Sequence, residues 1–171
     1  MTTLERLYVS DGSWEAFEAD WSRQCTEFGE TLENFAPGHV PMLKLAATNE
    51  PKSGAFALPY EGEHAAACQL NCTPLPGFTG PVLRLRFLTL APRYDLGESS
   101  QEAYSDILVQ LLQGVLEVSE SLWPADHVKF HLASPADRVF FAALGKPLDA
   151  SGVFRSVCVK GSWLYISKSR P

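Results

Sequence analysis

The feature that most constrains the fold is an apolar, strand-like run at residues 82–91, followed by a long amphipathic helix. Pro92 ends the run, because proline cannot donate a hydrogen bond within a central strand. Ser99 and Glu102 then form the pattern of a capping box, which opens a helix over residues 99–122. The apolar stripe of that helix comprises Ala103, Ile107, Leu108, Leu111, Leu112, Val115, Leu116 and Val118.

The rest of the sequence predicts an alternating series of strands and helices. Strands are expected at residues 4–9, 55–59, 64–73, 128–133, 154–160 and 163–167. A first helix begins at Trp14 with Ser13 as its cap. A last helix covers residues 134–144 and is ended by Gly145 and Pro147. We therefore expect one α/β domain over residues 1–171, in which helices flank both faces of a twisted, mixed sheet of about seven strands.

The composition is that of a globular protein with an acidic surface. Of the 171 residues, 46% are hydrophobic, and the formal net charge is -6. Nucleic acids and anionic membranes select basic patches, so this charge argues against both as partners. No stretch approaches the roughly 18 apolar residues of a membrane span, and no secretory signal is visible. We expect a cytoplasmic protein with reduced cysteines.

The second half of the sequence resembles the GNAT N-acetyltransferases. Residues 88–94 read LTLAPRY, which is similar to the apolar-x-Pro-x-Tyr run that ends a central strand in that family. Residues 141–145 read FAALG, which resembles the end of the family's later helix, Tyr-x-x-x-Gly-Phe. The order of strands and helices is also similar, and the resemblance covers residues 54–168.

This resemblance implies transfer of an acyl group from acetyl-CoA, or another acyl-CoA, to an amine by direct attack. The acceptor would be a small-molecule amine or a protein amine, and a homodimer is compatible with the resemblance. The main chain at residues 88–90 would polarise the thioester carbonyl, and the loop before the long helix would bind the pyrophosphate. The implied cofactor-binding residues are Leu88, Thr89, Leu90, Leu96, Gly97, Glu98, Ser99, Ser100 and Ser134.

Two departures from the family pattern favour a different interpretation. Asp95 and Glu98 place carboxylates beside the expected pyrophosphate, at a Coulomb cost of about a few kcal/mol. Phe141 stands at the catalytic position where the family usually has a proton-donating tyrosine. The alternative is therefore a catalytically inactive GNAT-fold module that binds a ligand or a protein. An unrelated α/β domain is the third interpretation.

Histidines are the candidates for a catalytic base and for metal ligands. Glu63 and His64 begin a strand near where the resemblance places the entering amine. Histidine titrates near neutral pH, which suits a catalytic base, and a solvated turn is the alternative. His127 and His131 are four residues apart on a predicted strand, which separates them by roughly 13 Å. We therefore expect no metal site.

Arg84 and Arg86 are candidates for substrate binding. They alternate with apolar residues, so both project from one face of the central strand. Since arginine binds carboxylates in a bidentate manner, they could receive an anionic substrate group or a partner carboxylate. Alternatively, both arginines pair with the acidic residues of the first helix.

Overall fold

The computed structural model describes residues 4–169, which form seven strands and six helices. The strands are β1 (Glu5–Leu7), β2 (Ser53–Tyr60), β3 (Glu63–Pro74), β4 (Pro81–Leu90), β5 (His127–His131), β6 (Phe154–Lys160) and β7 (Trp163–Lys168). The helices are α1 (Ser13–Glu27), α2 (Leu32–Phe35), α3 (Val40–Ala46), α4 (Pro92–Asp95), α5 (Gln101–Val118) and α6 (Pro135–Ala150). None of the helices within residues 4–169 combines the length and the apolar character needed to cross a membrane.

All seven strands join in one sheet with the order β1-β2-β3-β4-β5-β7-β6, which places β4 at its centre. Neighbouring strands run antiparallel, except for β4 and β5, which are parallel. The register between these two ends at the pair Leu85–Phe130, although β4 continues to Leu90. The two strands therefore separate beyond this pair. The predicted mixed sheet of seven strands, with β4 in the middle, is confirmed.

Two buried clusters, one on each face of the sheet, hold the helices in place. On one face α5 and α6 contribute Ile107, Leu111 and Phe141 to a cluster with side chains of the sheet that include Phe56, Leu70, Leu85, Phe130 and Ile166. On the other face α1 and α3 cover β1, β2 and β3, and Trp14, Phe17, Trp21 and Leu43 pack on Ala55, Ala57 and Ala67. Each large apolar side chain buried in this way contributes about 1.5–3 kcal/mol. The prediction of helices on both faces is confirmed.

Three short helices, α2, α3 and α4, were not predicted. They have between four and seven residues, too few to show a clear apolar stripe. Proline lies in the first turn of α3 and α4, where its fixed backbone suits the start of a helix. α3 buries Val40 and Leu43, so tertiary packing stabilises a helix that would not form alone.

The ends of α1 and α5 differ from the prediction. Gly12 is the cap residue of α1, and the hydroxyl of Ser13 instead accepts the N–H of Tyr8 in the preceding loop. Ser100, rather than Ser99, caps α5 by accepting a main-chain N–H in its first turn. α5 ends at Val118 and is therefore shorter than predicted.

α6 begins as predicted but extends further. Ser134 caps it in a capping box with Asp137. The helix continues past Pro147, although proline removes one main-chain hydrogen bond. Contacts of the last turn offset this loss: Leu148 packs on the core, and Asp149 Oδ1 accepts the N–H of Val157 at 2.7 Å.

Candidate functional site

The separation of β4 from β5 coincides with a bulge in β4. Opposite β3, Ala67 pairs with Thr89 but Gln69 pairs with Arg86, so β4 carries one extra residue. Phe87 lies in this bulge with a φ of 53°, a conformation that bulky side chains rarely adopt. Bulges and strained backbone of this kind cluster beside functional sites.

The end of β4 presents a main-chain donor to the gap between the strands. The N–H of Ala91 donates to the carbonyl of Ala65, on the β3 side, at 2.8 Å. Successive N–H groups of a strand point to opposite sides, so the N–H of Leu90 points toward β5. Pairing with β5 has already ended at Leu85. The Leu90 N–H can therefore donate to a ligand in the gap.

A cavity of about 470 Å³ lies in this gap. Its lining residues are Ala36, Gly38, His39, Leu88, Thr89, Leu90, Asp95, Tyr104, Ala133, Ser134 and Asp137. Four of the predicted cofactor-binding residues, namely Leu88, Thr89, Leu90 and Ser134, are thus brought together. The other polar side chains come from the loop before α3, from α4 and from the first turns of α5 and α6.

His39 is held in the cavity with one ring nitrogen free to act. Its Nδ1 lies 2.9 Å from the hydroxyl oxygen of Thr89. The hydroxyl of Thr89 donates to the carbonyl of Phe87 at 3.2 Å, so Thr89 Oγ1 can accept a hydrogen bond from an N–H at His39 Nδ1. In this tautomer the ring proton of His39 is on Nδ1. Its Nε2 is left as a proton acceptor beside the cavity.

Tyr104 supplies a hydroxyl group to the cavity from the first turn of α5. It donates a hydrogen bond to Asp137 Oδ1. The other carboxylate oxygen of Asp137 accepts the N–H of Ser134 at 3.3 Å. Burial, and then the bond to Asp137, raise the pKa of Tyr104, so this hydroxyl keeps its proton at neutral pH.

Asp95 gives the cavity a second carboxylate. Partial burial, and then the charge of Asp137, raise the pKa of Asp95 above its usual value. The two carboxylates do not form a metal site: no group of three or more His, Cys, Asp or Glu side chains within residues 4–169 is arranged to hold an ion.

A groove of about 660 Å³ runs beside the cavity, between the first turns of α5 and α6. Its walls are formed by Ser99, Ser100, Gln101, Tyr104, Ser105, Pro135, Ala136, Val139, Phe140 and Ala143. Tyr104 lines both spaces, so its bond to Asp137 lies at their junction. The α6 wall is largely apolar. The α5 end presents N–H groups that lack intrahelical partners and attract anions.

Three predicted phosphate-binding residues, Leu96, Gly97 and Glu98, line neither the cavity nor the groove. Gly97 is explained by packing. A Cβ there would lie 2.3 Å from the carbonyl oxygen of Arg93 and 3.1 Å from the ring of Phe28. Contact of these three residues with a cofactor stays a prediction.

Phe141 is fully buried and lies away from the cavity. Its ring centroid is 5.0 Å from that of Phe130 and 5.1 Å from that of Phe140. The position at which the resemblance places the family's tyrosine is thus part of the core, and a catalytic role for residue 141 stays a prediction. Tyr104 is instead the tyrosine that lines the cavity.

Glu63 and His64 are held in a network of ion pairs with α1 and α4, and neither lines the cavity. Glu63 pairs with Arg23 at 2.6 Å and with Arg93 at 2.7 Å. Asp20 Oδ2 accepts the main-chain N–H of His64 at 2.8 Å and lies 2.9 Å from its Nδ1. Burial raises the pKa of Asp20, but hydrogen bonds from His64, Gln24 and Arg23 together outweigh it and bring the pKa below its usual value. A catalytic role for Glu63 or His64 stays a prediction.

Arg84 and Arg86 do not pair with the acidic residues of α1. Within residues 4–169 neither arginine forms a salt bridge. Arg84 Nε donates to Asn71 Oδ1 at 3.2 Å, and the guanidinium of Arg86 lies 5.0 Å from the ring centroid of Phe87. Of the two interpretations from the sequence, the one in which these arginines bind an anionic group is still open.

Sequence reasoning missed His39, Tyr104 and Asp137 as site residues. Asp137 follows Ser134 by three residues, so its part in the helix cap could have been read from the sequence. Tyr104 lies in the first turn of a predicted helix, but the sequence does not show which element faces that turn. His39 lies in a segment without periodicity, and it meets Thr89 only through the tertiary fold.

Comparison with known proteins identifies the fold. No protein-family model matches the chain, and no curated protein matches its sequence. A Staphylococcus epidermidis protein that is assigned as an acetyltransferase is 14% identical, with 99% of this chain and 100% of that chain covered and a TM-score of 0.53. E. coli YhhK, assigned as an N-acetyltransferase and solved with coenzyme A, is 14% identical, with 98% of each chain covered and a TM-score of 0.52. The chain has the GNAT fold, with a sequence that has diverged widely from these proteins.

Proposed function

We propose that the protein is an N-acyltransferase that moves an acyl group from acetyl-CoA, or another acyl-CoA, to a small-molecule or protein amine. The observation that carries this proposal is the gap between β4 and β5, where the Leu90 N–H faces a cavity joined to the α5–α6 groove. The coenzyme A bound to YhhK, which has the same fold, supports it.

The groove and the cavity fit the parts of an acyl-CoA. The apolar α6 wall, with Val139 and Phe140, suits the pantetheine chain, and the first turn of α5 suits a pyrophosphate. Asp95 lines the cavity but not the groove, where we place the pyrophosphate. Acyl-CoA would supply the activated thioester.

Three groups of this chain have roles in the proposed reaction. The Leu90 N–H donates to the oxygen that develops negative charge during attack, which preorganised donors stabilise. His39 Nε2 accepts the proton that the amine loses. Tyr104 holds a proton at its hydroxyl, at the junction of groove and cavity, for the departing thiolate.

The inactive binding module is the second candidate function. It is favoured by the burial of Phe141 and by the hydrogen bond that engages the Tyr104 hydroxyl with Asp137. In this case the cavity would hold a ligand without turnover.

Calorimetric titration with acetyl-CoA and a longer acyl-CoA, followed by a thiol-release assay with a panel of amines, tests both candidates. An N-acyltransferase binds at least one acyl-CoA and releases thiol only when an amine is present. Binding without thiol release from any amine would favour the binding module. A folded protein that binds no acyl-CoA would contradict the proposal.

A further inference from the structure

One half of a sheet face is left uncovered by the helices. α1 and α3 cover β1 to β3 on this face, and α5 and α6 pack on the opposite face. Leu85 and Phe130 are paired in register and point into the α5–α6 core. Side chains alternate along a strand, so Arg86 and His131, one residue further along, point to the uncovered face. Neither side chain is buried.

The charge of this surface is opposite to that of the whole chain. β4, β5, β6 and β7 contain no Asp or Glu, whereas the formal net charge of the chain is -6. Arg84, Arg86, Lys129 and His131 lie on neighbouring positions of β4 and β5. Within residues 4–169 no carboxylate forms a salt bridge with any of them.

The surface formed by Arg84, Arg86, Lys129 and His131, here called the cationic surface, reaches the rim of the cavity at Arg86 and His131. Arg86 precedes the bulge and lies over the ring of Phe87, whose centroid is 5.7 Å from that of His39 in the cavity. His131 lies two residues before Ala133, another lining residue. Arg86 and His131 thus lie beside residues that contact or line the cavity, and within residues 4–169 neither forms a salt bridge.

We propose that Arg86 and His131 bind a carboxylate of the acceptor, so that the acceptor class is an amine that also carries a carboxylate. The inference rests on the proposed acyl transfer in the adjacent cavity. An amino acid and an acidic peptide with a free amino terminus both present this chemistry. Arginine provides paired N–H donors that match a carboxylate, and His131 adds a third donor. The acidic remainder of the chain would leave this surface as the favourable place for an anion.

The titration of His131 offers a readout of the bound carboxylate. Partial burial, and then the charges of Arg86, His39, Arg138 and Lys129, lower the pKa of His131. A carboxylate at this site favours the protonated imidazole, so binding should raise the pKa of His131. By linkage, the same carboxylate binds more tightly as the pH falls through that pKa.

Two matched pairs of probes test the proposal by NMR titration of the full chain. Alanine and alaninamide differ only in the carboxylate, and the peptides Ala-Asp-Glu-amide and Ala-Asn-Gln-amide differ only in acidic side chains. We expect at least one acidic probe to shift the His131 resonances, and its amide partner to do so at least tenfold more weakly. Arg86→Gln should weaken the acidic probe about tenfold, because a charge-assisted hydrogen bond is lost.

Arg155→Gln is the matched control. Arg155 is exposed near the start of β6, whereas His131 lies beside the turn at the other end of the β6–β7 hairpin. The control should change the affinity less than twofold. If only alanine shifts the His131 resonances, the acceptor is a small amino acid. If only the acidic peptide shifts them, the acceptor is a peptide. No response to either acidic probe, equal response to both members of each pair, or unchanged affinity in Arg86→Gln would overturn the proposal.

Titration with acetyl-CoA separates this inference from the proposed function. Arg86→Gln should bind acetyl-CoA as the wild type does, because the α5–α6 groove does not include Arg86. Carboxylate binding without acetyl-CoA binding would leave the anion site standing and reject acyl transfer. Acetyl-CoA binding and thiol release without any preference for a carboxylate would support acyl transfer and reject the anion site.

Discussion

His64 and His39 both have a ring nitrogen within hydrogen-bond distance of a neighbouring oxygen, but their surroundings differ. His64 is enclosed by the charge network of Asp20 and α1, and its main-chain groups bond Asp20 and Trp21. The ring of His39 packs edge-on against Phe87 and has Thr89 within hydrogen-bond distance of Nδ1. Within residues 4–169 no hydrogen bond engages its Nε2, and His39 lines the cavity. We propose His39 rather than His64 as the base because His39 lines the cavity and His64 does not.

The largest expected effect separates these two histidines. His39→Asn should lower kcat/KM for acyl transfer by about 100- to 10,000-fold, because the proton acceptor is removed. His64→Asn should leave the activity of the folded protein within a few-fold of the wild type. Thiol release from acetyl-CoA measures the rate, and a melting curve for each variant shows how much protein is folded. The opposite order of activities would restore His64 as the base and contradict our comparison.

A smaller effect is expected at the tyrosine that lines the cavity. Tyr104→Phe removes the hydroxyl and should slow transfer about 10- to 100-fold, somewhat less than the usual contribution of a general acid. Phe141→Tyr is the matched control, because it adds a hydroxyl at a fully buried position. It should not raise the rate, and should cost about 1–3 kcal/mol of stability for an unpaired buried hydroxyl. A faster Phe141→Tyr variant would show that residue 141 reaches the reacting groups.

The charge network around His64 should affect stability rather than turnover. Asp20→Asn should lower the free energy of unfolding by about 1–3 kcal/mol at pH 7, since charged hydrogen bonds are lost. Because the folded pKa of Asp20 is below its ordinary value of 3.8, its stabilisation is present above that pH. It is lost as the pH falls through the folded pKa. Urea unfolding at several pH values measures the free energy of unfolding of the variant and the wild type. The same difference at every pH would refute this pH dependence.

The smallest effect is expected at Asp95. Its folded pKa lies above the ordinary value of 3.8, so its ionisation begins to oppose folding above pH 3.8 and does so fully once the pH exceeds the folded pKa. Asp95→Asn should therefore raise the melting temperature slightly at pH 7, and the gain should disappear below pH 3.8. It should also tighten acetyl-CoA binding. A variant that melts lower and binds more weakly would indicate that the carboxylate makes a favourable contact.

The comparison of the two histidines also shows what the sequence could predict. The central strand was predictable because its apolar run and Pro92 are local signals, whereas the cavity residues Leu88 to Leu90 were implied by the resemblance to the GNAT family. His39 and Thr89 are 50 positions apart, and Tyr104 and Asp137 are 33 apart. No local pattern encodes such contacts. The contact of His39 depends on α3, a short helix that packing rather than periodicity creates, and the contact between Tyr104 and Asp137 depends on how α5 and α6 pack together.

The central claim is that acyl-CoA binds in the gap between β4 and β5 and that the His64 network takes no part. Amide NMR of the wild-type chain, titrated with acetyl-CoA, tests it most directly. We expect the largest shifts at Leu90, Gln101 and Glu102, and none beyond experimental error at Glu63 and His64. Saturable shifts centred on Glu63 and His64, with Leu90 unchanged, would contradict the account.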